Sequence, residues 1–310
     1  MTNIPYSQDK VNITSHNVLR LPHSKLHQKS DPNKYTSACP FCNQGKDRFY
    51  FWADAGNFWC NVCNQSGFVS DAPESPGIPS SKPGPDPSQK EKHKTIISRL
   101  EAKGQADRYH AALNPSHREY LHTTYGLTND SINEAKLGYV SHCPTCPRSD
   151  SISIPYYWTN GRVRLLNLRH RLLAPEHQTG DKYRPEQAGM TSTLFNIDLL
   201  LDKTEPIAIL LEGEFKALVL KQFYLPAVAI SGLHAWDASW AKYFEGKEVY
   251  IALDPGEKEH GKAIEYGRAI SNFAARTYIC TLPFKPDDML IKMGYDIESF
   301  SAFLEMGRRL

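Results

Sequence analysis

The sequence predicts an α+β chain of several domains: a small cysteine-held β domain, a linker, and a larger mixed α/β domain ending in a Rossmann-like parallel sheet. Three observations predict it. Two Cys-x-x-Cys pairs, Cys39/Cys42 and Cys60/Cys63, are separated by seventeen residues. Six prolines fall within residues 72–94, a stretch with no aromatic residue. After residue 205, short apolar runs alternate with helical segments, as in a mostly parallel sheet covered on both faces.

The chain has 310 residues, 40% hydrophobic and 23% charged, enough to bury cores and about right for two domains with a small module. Its longest purely apolar run is about five residues, Ile207–Leu211, against the ~18 that span a bilayer. The start, MTNIPYSQDK, has no apolar stretch after a basic head, so a cytoplasmic protein away from membranes is expected. A membrane protein, a secreted disulfide scaffold and a fully disordered chain are excluded. The net charge is +2, so any contact with nucleic acid rests on local positive charge. Six of the seven cysteines sit in Cys-x-x-Cys pairs. Without an export signal, that pattern points to metal rather than disulfides.

In chain order, residues 1–35 are polar and read as an arm, 36–71 as the cysteine-rich domain, and 72–94 as a semi-extended linker. Residues 95–204 are the first half of the large domain. Helices are expected over 95–140, with Thr128 capping one that runs through Ile132 and Leu137 to a stop at Gly138. Strands are expected at Ile152–Trp158 and from Val163, joined by a turn at Asn160-Gly161. Residues 205–292 are the second half. Its strands are expected at 207–211, 227–230, 249–253 and 277–280, and its helices at 214–223, 235–244 and 262–275. Residues 293–310 supply a closing helix, Ile297 to Arg309.

Two tight turns that each present two thiolates make a tetrahedral four-sulfur site, the spacing of a structural zinc ribbon with no open position. The residues between the pairs, Asp47–Trp52 and Asn57–Trp59, read as strands. Aromatic residues there, including Trp52, interleave with Lys46 and Arg48. Rings that stack on bases and cations that meet phosphates suit single-stranded nucleic acid, although a small ribbon also needs rings for its core. In the last domain, Glu212 and Asp254 follow strands, and Asp287 and Asp288 follow the strand ending near Cys280. Ligands bind beyond the carboxyl ends of parallel strands. Clustered carboxylates need a cation, and oxygen-only ligands suit Mg²⁺ or Mn²⁺ in metal-assisted phosphoryl transfer.

These motifs carry a resemblance. Cys39-Pro-Phe-Cys42 with Trp59-Cys-Asn-Val-Cys63 resembles the zinc ribbon of DnaG-type bacterial and phage primases. Leu211-Glu-Gly-Glu-Phe-Lys-Ala-Leu218, Ala252-Leu-Asp254 and Lys285-Pro-Asp-Asp-Met-Leu290 resemble the three acidic motifs of the TOPRIM fold. Tyr125-Gly-Leu-Thr128, Leu137-Gly-Tyr139, Ile152-Ser-Ile-Pro-Tyr156, Leu168-Arg-His-Arg171, Lys182-Tyr-Arg184 and Leu194-Phe-Asn196 are similar to the basic half of the primase polymerase domain. The resemblance spans about residues 37–292, and Glu-Gly-Glu is most similar to primases of phages and mobile elements.

The resemblance implies a DNA primase that makes short RNA primers on single-stranded DNA by two-metal nucleotidyl transfer. Zinc on Cys39, Cys42, Cys60 and Cys63 would be structural. Glu212, Asp254 and Asp287, with Asp288 beside them, would hold catalytic Mg²⁺ or Mn²⁺. Arg169, Arg171, Lys182 and Arg184 would meet template and ribonucleoside triphosphates, and a separately encoded replicative helicase would be a partner. Two positions depart from the pattern. Gly256 stands where a second aspartate is usual, unless Glu257 or Glu259 substitutes, and Lys216 stands where the first motif often has an aspartate. These departures support an alternative: a catalytically weakened, primase-derived protein that binds single-stranded DNA or recruits replication partners. A TOPRIM nuclease or topoisomerase is a third reading, with little room for the further domain a topoisomerase needs. Cys143 and Cys146 form an extra pair, for which His170 or His177 would be the nearest candidates to complete a second zinc site.

Overall fold

A computed structural model of the chain describes residues 25–26, 34–53, 57–63, 65–68, 87–159, 162–173 and 182–310. The chain divides into two compact units, Met1–Ser80 and Ser81–Leu310.

The first unit is one five-stranded antiparallel sheet in sequence order: β1 (Lys25–Leu26), β2 (Lys34–Ser37), β3 (Phe49–Trp52), β4 (Asn57–Cys60) and β5 (Ser66–Phe68). Side chains alternate across a strand. Phe49, Phe51 and Phe58 therefore turn to one face and bury with Cys39 and Cys60. Tyr50 and Trp59 pair on the other face. Residues 25–26 and 34–35, expected in a loose arm, belong to this sheet: Lys25 pairs with Thr36, and Lys34 with Trp52. Two-residue segments carry too little alternation to read as strands.

The second unit opens with α1 (Pro87–Ala102). The expected linker, 72–94, is thereby shortened, because residues 87–94 are the first turns of this helix. Proline is tolerated in a first helical turn, so Pro87 marks a start rather than a continuation of the proline-rich run. Ile96, Ile97 and Leu100 bury against Leu165 and Leu168. Residues 72–86 lie outside the described residues. Helices α2 (Gln105–Ala111), α3 (Pro115–Tyr125) and α4 (Asn129–Glu134) follow. Thr128 caps α4 through the Ser131 N–H, as expected, but the helix stops at Glu134. Lys136 turns the chain at φ 47°, and Gly138 opens a strand instead of closing the helix.

A four-stranded antiparallel sheet comes next: β6 (Gly138–Val140), β7 (Ser151–Trp158), β8 (Arg164–Leu172) and β9 (Tyr183–Pro185), in that order. The turn expected at Asn160-Gly161 lies outside the described residues, but the strands it would join pair antiparallel. After α5 (Asp198–Leu201), the chain enters a second five-stranded sheet. Its strands are β10 (Ile207–Glu212), β11 (Ala227–Ile230), β12 (Glu248–Ile251), β13 (Arg276–Ile279) and β14 (Arg308–Arg309), ordered β11-β10-β12-β13-β14. All pairs are parallel except β13–β14.

The helices on this sheet are α6 (Glu214–Gln222), α7 (Glu257–Ile270), α8 (Pro286–Ile291) and α9 (Ile297–Glu305). Strand β10 is buried on both faces: Ile209 and Leu211 join one core, Ala208 and Leu210 the other. The helix expected at 235–244 is a 3-10 helix over Ala238–Phe244, capped by Asp237. The expected closing helix to Arg309 ends at Glu305, and Arg308–Arg309 pair with β13. Among the described residues, no helix is long and apolar enough to cross a membrane.

Candidate functional site

In the first unit, the sulfurs of Cys39, Cys42, Cys60 and Cys63 all lie within 4.8 Å of one another. Cys39 and Cys63 are 3.7 Å apart, and Cys42 and Cys60 3.9 Å. The two turns are built alike. The Phe41 N–H donates to Cys39 Sγ and the Val62 N–H to Cys60 Sγ, each at 3.4 Å. Burial pushes the Cys39 and Cys63 thiols up, so a cation is needed to hold these two as thiolates. Four sulfurs and no oxygen fit a closed, structural zinc ion.

On the outer face of this sheet, Tyr50 and Trp59 stack with centroids 5.7 Å apart, and Trp52 lies 6.3 Å from Tyr50. The Lys34 ammonium sits 4.6 Å from the Tyr50 centroid and 5.4 Å from that of Trp52. Arg48 precedes β3, is more than half exposed, and lies 3.6 Å from Asp47. Trp52 therefore belongs to a half-open ring-and-cation surface, and Arg48 lies four residues before it in sequence.

In the second unit, Glu212 ends β10, Asp254 follows the adjacent β12, and Asp287 and Asp288 open α8 after β13. Gly213 makes the first turn possible. It holds φ 101° and ψ 135° between Glu212 and α6, a conformation in which a side chain is strained. Glu212 Oε1 accepts from the Leu233 N–H at 3.1 Å. Lys216, one turn into α6, puts its ammonium 2.6 Å from Asp254 Oδ1 and 3.0 Å from the Glu212 carbonyl oxygen. Lys285 stands 4.0 Å from Asp254 Oδ2.

Burial raises the Glu212 pKa; Asp254 and Glu259 add to the rise and Lys216 opposes it. Burial raises Asp287 as well, again against Lys216, with Asp288 and Asp254 adding. Asp287 Oδ1 is buried with no hydrogen-bond partner. Among the described residues, the four cysteines are the only group of three or more whose ligand atoms all lie within 4.8 Å of one another. The carboxylates stand wider apart. Buried carboxylate oxygens without a hydrogen-bond partner, on Asp254 and Asp287, and an all-oxygen donor set suit a hard divalent ion, while the Lys216 ammonium competes for Asp254.

The expected basic group is divided. Strand alternation puts Arg169 and Arg171 on one face of β8, while His170, paired with Arg184 on β9, faces the other way. Arg169 Nη1 donates to Glu214 Oε1 and to the Ser231 carbonyl oxygen, both at 3.0 Å. Arg171 Nε donates to the Tyr125 hydroxyl at 3.1 Å, and its guanidinium lies 5.1 Å from the Tyr183 centroid. Lys182 is exposed beside β9, and Arg184 is half-buried.

Two residue groups escaped the sequence reading. Glu214 is fully buried and also accepts from the Tyr156 hydroxyl at 2.5 Å. Its partner Arg169 lies 45 residues away in sequence, so no local signal marks the pair. The second group centres on His170, whose Nε2 is 2.6 Å from Glu186 Oε2 and whose Nδ1 is 3.1 Å from Ser151 Oγ. That places His170 in a buried structural network rather than in a second zinc site. Cys143 and Cys146 bridge one another across a tight turn and join no metal-binding group among the described residues; His177 lies outside the described residues.

No protein-family model matches the chain, and no curated protein does. Solved structures do match. The zinc-binding and RNA polymerase domains of the Aquifex aeolicus primase align with a TM-score of 0.52 at 17% identity, over 91% of this chain and 81% of that one. The E. coli primase catalytic core aligns at 0.51 and 19% identity, over 67% and 79%. A DnaG primase catalytic domain bound to single-stranded DNA aligns at 0.52 and 16% identity, over 72% and 81%. The four-cysteine sheet, the antiparallel sheet and the parallel sheet thus follow one another here in the fold of DnaG-type primases.

Proposed function

We propose that the chain is a DNA primase, a nucleotidyltransferase that joins ribonucleotides on a single-stranded DNA template, with zinc holding its N-terminal sheet. The observation that carries this reading is the acid edge of the parallel sheet. Glu212, Asp254 and Asp287 come from the ends of three neighbouring strands, and two of them, Asp254 and Asp287, keep a buried oxygen without a hydrogen-bond partner. Glu212 and Asp287, with Asp288 beside them, are the residues that would hold Mg²⁺ or Mn²⁺. Such an ion supplies activation of a 3′-hydroxyl and neutralises triphosphate charge.

The protein's own groups bind and orient. Glu212 is fixed by the Leu233 N–H and by the Gly213 turn. Arg171 and the exposed Lys182 offer charge to phosphates, whereas Arg169 anchors β8 to α6 through Glu214. The half-buried Trp52 and Trp59, with Lys34 and Arg48, offer rings and cations to single-stranded DNA, with the buried Tyr50 beneath them. A neighbour of this fold has been solved with single-stranded DNA bound, which supports the template assignment. A separately encoded helicase, a cytoplasmic setting and an origin in a phage or mobile element complete the proposal.

A second reading has one observation in its favour. Asp254 already faces the Lys216 and Lys285 ammonium groups, which suits a protein that binds DNA with a weakened acid site. One experiment separates the two. Pyrophosphate release from ribonucleoside triphosphates is measured with single-stranded DNA and Mg²⁺ or Mn²⁺, alongside DNA affinity by fluorescence anisotropy. For a primase, release requires both DNA and the divalent ion, and Glu212→Ala abolishes it while DNA affinity stays within about twofold. DNA binding without release in the unmodified protein supports the second reading.

A further inference from the structure

We infer that Lys216 is a built-in cation of the acid site, taking up Asp254 so that the site binds one divalent ion rather than two. The inference rests on the proposed metal-dependent function and refines it. Asp254 has two carboxylate oxygens, and an ammonium faces each: Lys216 at 2.6 Å on Oδ1 and Lys285 at 4.0 Å on Oδ2. The Lys216 side chain is only 14% exposed. Its second contact, the Glu212 carbonyl oxygen at 3.0 Å, fixes the ammonium between two strand ends instead of leaving it to sway in solvent.

The turn after Asp254 has a glycine, Gly256, where a Cβ would lie 2.2 Å from Glu259 Oε2, so the end of the Glu259 side chain reaches the space a side chain there would take. A second divalent ion at Asp254 would meet an ammonium already paired there. The side of the site beyond Lys216 is different. Asp254 Oδ1 and Asp287 Oδ1 are both buried without a hydrogen-bond partner, but Asp254 Oδ1 has the Lys216 ammonium at 2.6 Å, and Glu212 uses Oε1 for a single backbone donor. That side is left to one divalent ion, while Lys216 supplies fixed positive charge opposite it. Lys216 acts through Asp254 and the Glu212 backbone, and so is a positioning residue.

The test is Mn²⁺ binding to the full-length, zinc-loaded chain, followed by electron paramagnetic resonance, with no DNA or nucleotide present. The unmodified protein is expected to bind one Mn²⁺, and Glu212→Gln to lose it. Lys216→Met keeps the apolar stem but removes the charge. It is expected to bind two ions, the first at least about tenfold more tightly, because a unit like-charge a few ångströms away has gone. Lys216→Arg keeps the charge and is expected to behave as the unmodified protein. Melting temperature and zinc content show that each variant is folded.

Unchanged stoichiometry and affinity in Lys216→Met would overturn the inference and leave the metal-dependent reading standing. So would two ions on the unmodified protein. No Mn²⁺ on the unmodified protein, with Glu212→Gln indistinguishable from it, would overturn both.

Discussion

Glu214 shows what a single buried charge asks of its surroundings. It is fully buried, and Arg169 and Tyr156 both donate to its Oε1. Breaking a buried ion pair from one side typically costs ~3–5 kcal/mol, because the other charge is left uncompensated. Glu214→Ala is expected to destabilise the second unit by about that amount in urea unfolding, and a loss below about 1 kcal/mol would remove Glu214 from this role.

Glu212 behaves in the opposite way. Its pKa is raised by burial first, then by Asp254 and Glu259. A carboxyl raised on folding costs stability above that window and costs nothing below the unfolded value. Without divalent ions at pH 7, Glu212→Gln is therefore expected to raise the melting temperature by a few degrees while keeping an acceptor for Leu233. The gain should fade as pH falls from the raised folded pKa towards the ordinary value of ~4.3 and be absent below it. Added Mn²⁺ should raise the melting temperature of the unmodified protein alone. Absence of any gain at pH 7 would mean that Glu212 carries no penalty.

At the scale of elements, the four-sulfur centre and the acid edge both depend on backbone turns. Among the described residues, the first unit's core cluster buries three phenylalanines and two cysteines, and a core of that size leans on a staple. Chelation of zinc is expected to unfold this sheet, read as a change in Trp52 and Trp59 fluorescence, while the second unit keeps its own melting transition. Retention of the tryptophan signal after complete zinc loss would contradict it. In the second unit, Gly213 carries the β10–α6 turn at φ 101°. Gly213→Ala is expected to cost ~1–3 kcal/mol in strain and to weaken Mn²⁺ binding by moving Glu212; unaltered stability would show that the turn relaxes freely.

Elements also show where a sequence stops being legible. The cysteine turns and the strand-ending acids could be read because each depends on neighbours a few residues away. Helix α1 was partly hidden because Pro87 continues a proline-rich run, although proline suits a helix start. Strand β14 reads as the end of a helix, because its pairing with β13 is a long-range contact. The division of the basic residues follows from the register of β8 against β9, which composition cannot supply. Glu214 and Lys216 were visible as motif letters, but what each one holds was not.

At the scale of the whole molecule, the two compact units divide the work that the proposed function requires. One carries the four-sulfur centre and a ring-and-cation face; the other carries the acid edge, with its internal ammonium. The chain aligns with a structure that has zinc-binding and RNA polymerase domains over 91% of its length, at 17% identity, a likeness of fold. The measurement that tests the account most directly is primer synthesis on single-stranded DNA of varied sequence, with labelled ribonucleotides and Mg²⁺ or Mn²⁺. Short, alkali-labile, template-dependent products that vanish in Glu212→Gln are the expected result. Zinc-loaded protein that binds DNA yet makes no such product with any template or ion would contradict the account and leave a DNA-binding protein on a primase fold.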